Sequence, residues 1–433
     1  MTAALTTEAA MLAIYGGPKA VAGTNEDLFR WPIITAEDEA AVLEVLRGGK
    51  MSGIDVTQKF EQEFAAWHGA KFCLGHCNGT ASLLAAMWAC GVGAGDEVIG
   101  PSFTYWASVM PALSLRASIV FADIDAESLC IDPRDIERKI TPRTKAIVAV
   151  HYCGHPCDMD AIMTIARKHN VKVIEDVSHA QGARYKGRLC GTIGDVAGIS
   201  LMSGKSLASG EGGMLMTNDA KIYERAIAFG HYERTGGASR YTNQSGTLSD
   251  SDLSKYAGVP LGGVKNRMHQ LSSALGRVQL KHYAARIAEI QRAMNRFWSL
   301  LEGVPGIHPH KIRTPDSDMG GWYSALGLYR AEELGGLALE QFCEIVRAEG
   351  APCYPGANAP LHLNPVFHDA DIYNEGRPTI LAHSTRDLRT RIGDLPATES
   401  MPRRCYSIPW FKHDQPDVIA QYAEAFKKAA NRK

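Results

Sequence analysis

The chain holds 433 residues, with 46 Lys and Arg against 47 Asp and Glu and a net charge of −1. That balance, with no block of like charge, argues against nucleic acid or an anionic membrane as the main partner. A length beyond the usual single-domain size predicts a large domain and a smaller one, and ten cysteines at this length read as reduced thiols rather than a disulfide framework.

Residues 1–30 form an arm without strong periodicity, ended by Trp31-Pro32. Its apolar patch, Ala9 to Ile14, follows no basic residue and is too short to span a bilayer, so the expectation is a cytoplasmic protein with neither signal peptide nor transmembrane helix. Thr35-Ala36-Glu37-Asp38 has the character of a capping box and leads into a helix over Ala40 to Leu46. Between about 70 and 220, apolar strand-like runs alternate with helical stretches: Glu97 to Gly100, Ser118 to Phe121, Ala146 to His151, Val171 to Ile174, Val196 to Leu201 and Gly213 to Thr217. Such βα alternation predicts a mostly parallel sheet covered on both faces. Residues 221–260, glycine-rich at Thr235-Gly236-Gly237-Ala238-Ser239, predict an irregular excursion. A helical pattern then runs from about 268 to 300 into a smaller domain, where Leu326 to Arg330 reads as a strand and Leu339 to Glu349 as a helix. Pro- and Asn-rich segments between 351 and 400 are expected to loop over the mouth of a site.

Three short stretches carry chemistry. In His76-Cys77-Asn78-Gly79-Thr80-Ala81-Ser82, small and hydroxyl residues precede the helical run Leu83 to Trp88. A helix N-terminus of this kind offers free N–H groups to a phosphate, although Asn-Gly-Thr also serves as a plain cap. Val171 to Ile174 ends in Glu175-Asp176, which sets an acid at the carboxyl end of a strand, where open α/β sheets bind ligands; the other reading of Asp176 is a helix N-cap. Finally, Ser203 to Gly213 isolates Lys205 among small residues after an apolar edge. Partial desolvation there favours the neutral amine that attacks carbonyls, the competing reading being a solvated turn. An acid and a lysine so arranged complement pyridoxal phosphate (PLP), which needs a carboxylate at its pyridine nitrogen and an amine for its aldehyde. Cys73 with Cys77, and Cys153 with Cys157, lie near His76, His151 and His155. Structural zinc sites show tighter and more regular spacing, so no metal is expected.

With these landmarks in order, the chain resembles the DegT/StrS-type sugar aminotransferases, fold-type I PLP enzymes, from Leu12 nearly to its end. The resemblance rests on Leu12 to Gly17, Asn78-Gly79-Thr80, Gly95 to Ile99 with Pro101 to Tyr105, Ile174-Glu175-Asp176, Gly191 to Asp195, Lys205 to Gly213, and Pro360 to Pro365. It implies an α/β fold of type I, with a large PLP-binding domain over 31–275 and a linker helix with a small α+β domain over 276–433. It further implies that Lys205 holds the cofactor as a Schiff base and shuttles the proton, that Asp176 pairs with the pyridinium, and that His179 bonds the phenolic oxygen. Tyr105 would stack on the ring, and Gly79, Thr80 and Ser200 would hold the phosphate; Glu211 reads instead as structural, closing the glycine turn.

Two positions depart from the family pattern. Met202 stands where relatives often carry histidine, and Gly263-Val264-Lys265-Asn266-Arg267 stands where relatives supply an asparagine to the neighbouring subunit's phosphate. Lys265 is the expected replacement, with Asn266 as competitor. The implied activity is transfer of an amino group from L-glutamate or L-glutamine to a keto-sugar, nucleotide-linked in many relatives, or to a keto-cyclitol, by a homodimer with shared sites. The alternatives are a PLP-dependent lyase or synthase of the aminohydroxybenzoate type, and a non-catalytic PLP-binding regulator. Related dehydratases carry histidine in the lysine position, and no Gly-x-Gly-x-x-Gly follows a first strand, so Lys205 and this absence count against a dehydratase and a nicotinamide oxidoreductase.

Overall fold

The computed structural model describes residues 11–23, 26–236, 248–381, 383–384 and 386–431. The first ten residues of the arm and Gly237-Ala238-Ser239 of the expected excursion lie outside them. The alternating segment folds as Phe72–His76 (β1), Glu97–Pro101 (β2), Ser118–Ala122 (β3), Thr144–Val150 (β4), Lys172–Asp176 (β5), the short hairpin Arg184–Tyr185 (β6) and Arg188–Leu189 (β7), Val196–Ser200 (β8) and Gly213–Thr217 (β9). Without the hairpin these make a seven-stranded sheet of order β1-β9-β8-β5-β4-β2-β3. Neighbours are parallel except around β9, which runs antiparallel to both β1 and β8. Strands β2 and β3 are buried along their whole length, as parallel strands covered on both faces must be. Val150 lies opposite Asp176, and Asp176 opposite Gly198, so β4, β5 and β8 end side by side.

Strand β1 is absent from the sequence reading, because Gly75 and the flanking Cys73 and His76 dilute its β-forming character. The glycine has a packing reason: a Cβ at Gly75 would lie 2.9 Å from Thr57 Cγ2 on the helix Asp55–His68. The expected capping box does form, with Thr35 N–H donating to Asp38 Oδ2 at 2.9 Å at the head of the helix Ala36–Arg47. The start of the expected excursion is instead a helix, Ala220–Gly230, capped by Asp219, whose apolar side is buried.

The helix Gln270–Leu300 packs against Ala36–Arg47 and Asp55–His68 near one end and Pro416–Asn431 toward the other. Beyond it, Ile307–Pro309 (β10), Leu326–Tyr329 (β11) and Cys405–Ser407 (β12) form an antiparallel sheet with β11 in the middle. Helices Leu339–Ala348 and Pro416–Asn431 accompany this sheet, with Phe342, Tyr406 and Phe426 in mutual ring contact. The segment expected to cover the site mouth goes elsewhere for most of its length. Leu361 N–H donates to Ser102 O at 2.8 Å, Ser118 Oγ to Ile380 O at 2.9 Å, and Thr398 Oγ1 to Asp123 Oδ1 at 2.8 Å, which straps it along β2 and β3. Strand β3 is a free edge of the sheet, and this segment covers it.

Candidate active site

A cavity of about 580 Å³ opens at the carboxyl ends of β4, β5 and β8 and at the N-terminus of the helix Gly79–Ala89. Glycine permits this convergence. A Cβ on Gly79 would stand 2.7 Å from Ser200 Cβ, and one on Gly213 would stand 2.4 Å from the backbone of Asn78. The helix can therefore start against the end of β8 only with both positions bare. Asn78 caps that helix, its Oδ1 accepting from Ala81 N–H at 2.8 Å, while Ser82 N–H donates to Asn78 O at 3.2 Å. The N–H groups of Gly79 and Thr80 remain unclaimed among the described residues at a positive helix end. With the Thr80 and Ser200 hydroxyls, also at the cavity wall, they make a donor set that fits a phosphate.

Asp176 ends β5 facing this cavity and is 4% exposed. Its Oδ2 accepts from Ser108 Oγ at 2.7 Å and its Oδ1 from Ser178 N–H at 3.0 Å. The bond from Ser178 N–H within two residues means that the N-cap-like turn geometry and the ligand-facing placement coexist in one side chain. Ser178 Oγ in turn accepts from Ser200 N–H at 3.0 Å, tying the ends of β5 and β8.

Lys205 follows β8 in a loop closed by Ser203 N–H to Gly210 O at 2.8 Å and Leu201 N–H to Gly212 O at 2.9 Å. Backbone bonds therefore close the glycine turn, and Glu211, expected to do so, lines the cavity instead. Gln181 holds the loop: its Oε1 accepts from Leu207 N–H at 2.6 Å and Ser206 Oγ at 2.8 Å, and its Nε2 donates to Ser200 O at 2.6 Å. Trp31 Nε1 donates to Lys205 O at 2.8 Å, so the end of the arm helps fix the lysine. Lys205 is 7% exposed, its Nζ 4.0 Å from the ring centre of Tyr323. Burial drives its pKa down to about 8, against the opposing pull of Asp176 and Cys153. A solvated turn is excluded by this burial.

His179 also lines the cavity, between the rings of Tyr152 at 5.6 Å and Tyr323 at 4.8 Å. Burial, helped by the Lys205 charge, pushes its pKa well below the usual histidine range. Its Nδ1 accepts from Cys153 N–H at 3.4 Å, which in the neutral ring leaves Nε2 as the donor. Tyr105 borders the cavity with a half-exposed ring. Met202 supplies a soft apolar stretch of wall, its Sδ accepting from Gly204 N–H at 3.0 Å. Lys265 stands apart: it is exposed and outside the lining of its own chain's cavity. Asn266 is buried, its N–H donating to Gly230 O at 3.0 Å and its carbonyl accepting from Cys77 N–H at 2.7 Å.

Sequence reasoning missed Ser108, Ser178, Tyr323 and Asn358, all of which line the cavity. Ser178 lies two residues past Asp176 and was within reach of an Asx-turn argument. Tyr323 and Asn358 arrive from distant segments, and no local signal marks them. The paired cysteines and histidines have other work as well. His151 Nε2 bonds Glu175 Oε2 at 2.9 Å and its Nδ1 accepts from Cys157 N–H at 3.0 Å.

A lysine and a carboxylate at the ends of adjoining strands, facing a helix N-terminus, define a class: the chain belongs to the DegT/DnrJ/EryC1/StrS aminotransferase family, whose model matches residues 32–426. It is an aminotransferase, with the α/β architecture of the fold-type I enzymes. It is similar to the spore coat polysaccharide biosynthesis protein SpsC of Bacillus subtilis, 31% identical over 397 residues, or 92% of this chain and 95% of that one. The L-glutamine:2-deoxy-scyllo-inosose aminotransferase of Micromonospora echinospora is 35% identical over 349 residues, covering 78% of this chain and 81% of its own. Among solved structures, the aminotransferase from Psychrobacter cryohalolentis superposes with a TM-score of 0.73 at 29% identity, over 92% of this chain and 97% of that one.

Proposed function

We propose that this chain binds pyridoxal 5′-phosphate in the cavity and moves an amino group from L-glutamate or L-glutamine to a keto-sugar, free or nucleotide-linked, or to a keto-cyclitol. The observation that carries this reading is the meeting of a desolvated Lys205 amine, the Asp176 carboxylate and the open N–H groups of Gly79 and Thr80 in one cavity. When bound, the cofactor supplies an electron sink for cleavage of the substrate Cα–H bond. Lys205 is the amine for the cofactor's aldehyde and moves the proton at Cα, its pKa of about 8 leaving a usable neutral fraction near neutral pH. Asp176, held by Ser108 and the Ser178 N–H, would be the carboxylate for the pyridine nitrogen. His179 would donate from Nε2 to the phenolic oxygen, Tyr105 would cover the ring, and Gly79, Thr80 and Ser200 would hold the phosphate. The cyclitol aminotransferase relative supports glutamine as donor and a keto-cyclitol as acceptor, and the retained Lys205 and Asp176 favour an enzyme over a regulator.

The working assembly in this reading is a cytoplasmic homodimer, with division at 30/31 and 275/276 into arm, large domain and small domain. Lys265, exposed on its own chain, reaches the partner subunit's cofactor phosphate as a point charge. Mixing Lys205→Ala chains with Lys265→Ala chains then restores part of the activity, and no recovery despite proven subunit exchange removes Lys265 from the site. The function is tested in half-reactions. Amino donors are offered while the visible absorbance of the cofactor-loaded enzyme is followed, and the aminated enzyme is then given 2-deoxy-scyllo-inosose and nucleotide-linked keto-sugars. Cofactor conversion by L-glutamine or L-glutamate and its reversal by a ketone are expected. Failure of every ketone to reverse it overturns the proposal.

A further inference from the structure

Tyr152 follows β4, and its hydroxyl is buried at the cavity wall, with the residue 1% exposed. A buried phenol must both donate and accept to be satisfied. Here it donates to Asn358 Oδ1 at 2.7 Å and accepts from Asn358 N–H at 3.3 Å. This two-bond ring fixes the amide orientation. The phenol oxygen already receives the backbone N–H, so its single proton needs an acceptor, and a rotated amide would present a second donor instead. Oδ1 is therefore committed to Tyr152, and the two Nδ2 hydrogens project from a half-buried residue of the cavity lining. No described residue accepts from Nδ2.

We infer that Asn358 binds the ketone acceptor, donating from Nδ2 to a hydroxyl or carbonyl oxygen of its ring, with Tyr152 as the positioning residue. The inference rests on the aminotransferase reading above. The chemistry of the group selects the acceptor over the amino donor. A neutral amide N–H matches the neutral oxygens of a polyol ring, whereas the carboxylates of glutamate or glutamine are best met by charge-assisted donors. Asn358 also enters from the segment after 350, separate in sequence from the residues assigned to the cofactor, so acceptor choice can be altered there without disturbing cofactor binding.

The test uses the cofactor-loaded, full-length enzyme and the ketones of the panel above, beginning with 2-deoxy-scyllo-inosose. Asn358→Ala is expected to raise KM for the ketone about tenfold, the effect of one lost neutral hydrogen bond. Asn358→Asp keeps an acceptor for Tyr152 but replaces the donor by a second anionic oxygen, and is expected to raise it further. Tyr152→Phe frees the amide to rotate and gives a smaller rise. In all three the rate of the L-glutamine half-reaction, the cofactor absorbance and the melting temperature stay near those of the parent. An unchanged ketone KM in Asn358→Ala and Asn358→Asp overturns the inference while the aminotransferase reading stands. So does an equal loss in the L-glutamine half-reaction, which would make Asn358 a general wall residue. If the parent enzyme turns over no ketone, the functional reading fails and takes this inference with it.

Discussion

Glu175 and Asp176 are consecutive on one strand, yet alternation sends them to opposite faces of the sheet, and the two faces treat a buried carboxylate differently. Glu175 is saturated. His151 Nε2 reaches Oε2 at 2.9 Å, and the N–H groups of Gly191, Ile193 and Gly194 donate at 2.7, 2.7 and 2.6 Å. A carboxylate has about four acceptor sites, and these contacts use them all. Among the described residues Asp176 receives only the Ser108 hydroxyl and the Ser178 N–H, and it turns its remaining capacity to the cavity. The saturated acid holds the turn after the hairpin against the sheet, and the unsaturated one is left for chemistry. Acid type and depth of burial do not separate the two roles, but the count of partners does.

The comparison breaks most sharply at the other half of the cavity. Lys205→Ala should abolish transamination, because the amine that faces Asp176 is gone; borohydride reduction of the parent enzyme with cofactor, followed by peptide mapping, should label Lys205, and a label on another lysine refutes the assignment. The lysine also gives the comparison a pH signature. Burial lowers its pKa to about 8 and Asp176 opposes that shift, so recapture of cofactor by the apoenzyme should quicken as pH rises through about 8. Removing the Asp176 charge should move that profile to lower pH.

Asp176→Asn should leave the fold intact but slow transamination by a factor on the order of a hundred or more, since a neutral amide does not stabilise a pyridinium. Glu175→Gln should do the reverse. Burial opposes the Glu175 charge, but the His151 contact and the turn N–H groups outweigh it and hold the pKa below the usual range. His151 accepts the Cys157 N–H at Nδ1, so its ring is neutral and donates from Nε2 to Glu175 Oε2. A lowered acid contributes stability above its unfolded pKa and loses it as pH falls through the folded value. Glu175→Gln should therefore cost about 3 kcal/mol in denaturant unfolding, most clearly above the pKa of an unfolded glutamate, with turnover per folded molecule nearly unchanged. A slow but stable Glu175→Gln would erase the distinction between the faces.

The sequence announced Asp176 but was silent on Glu175's partners, and the reason is geometric. Order along the chain displays the ends of strands, so Lys205, Asp176 and the Gly79-Thr80 helix start were all legible from local pattern. Glu175 needs the loop at Gly191 to Gly194 folded back on it, and Tyr323 and Asn358 reach the cavity from beyond the long helix Gln270–Leu300. Tyr323 is further concealed by its surroundings: Trp322 and Ser324 on either side adopt φ of 53° and 54°, a turn conformation that glycine would have advertised. The sheet was legible where β-branched residues are dense, as in β4 and β5, and illegible at β1, where packing against Thr57 demands a glycine.

The smallest expected effect lies at His179, which touches both sides of the comparison. It is half-buried where Glu175 is fully buried, and among the described residues only its Nδ1 has a hydrogen-bond partner, the Cys153 N–H at 3.4 Å, while the ring lines the cavity. Because burial and the Lys205 charge keep the ring neutral, its role is a hydrogen bond from Nε2–H rather than a charge. Gln can supply an amide N–H of similar reach, whereas Ala leaves the phenolic oxygen of a bound cofactor without its donor. His179→Gln should thus retain most activity and His179→Ala should lose about tenfold, with a shifted visible absorbance of the loaded enzyme. The neutral state adds a second check: between pH 6 and 8 the ratio of parent to Gln-variant rates should stay flat, because no imidazolium forms there. A ratio that bends within this range would mean the ring titrates in place, and equal activity of the Gln and Ala variants with unchanged spectra would return His179 to the structural side, beside Glu175.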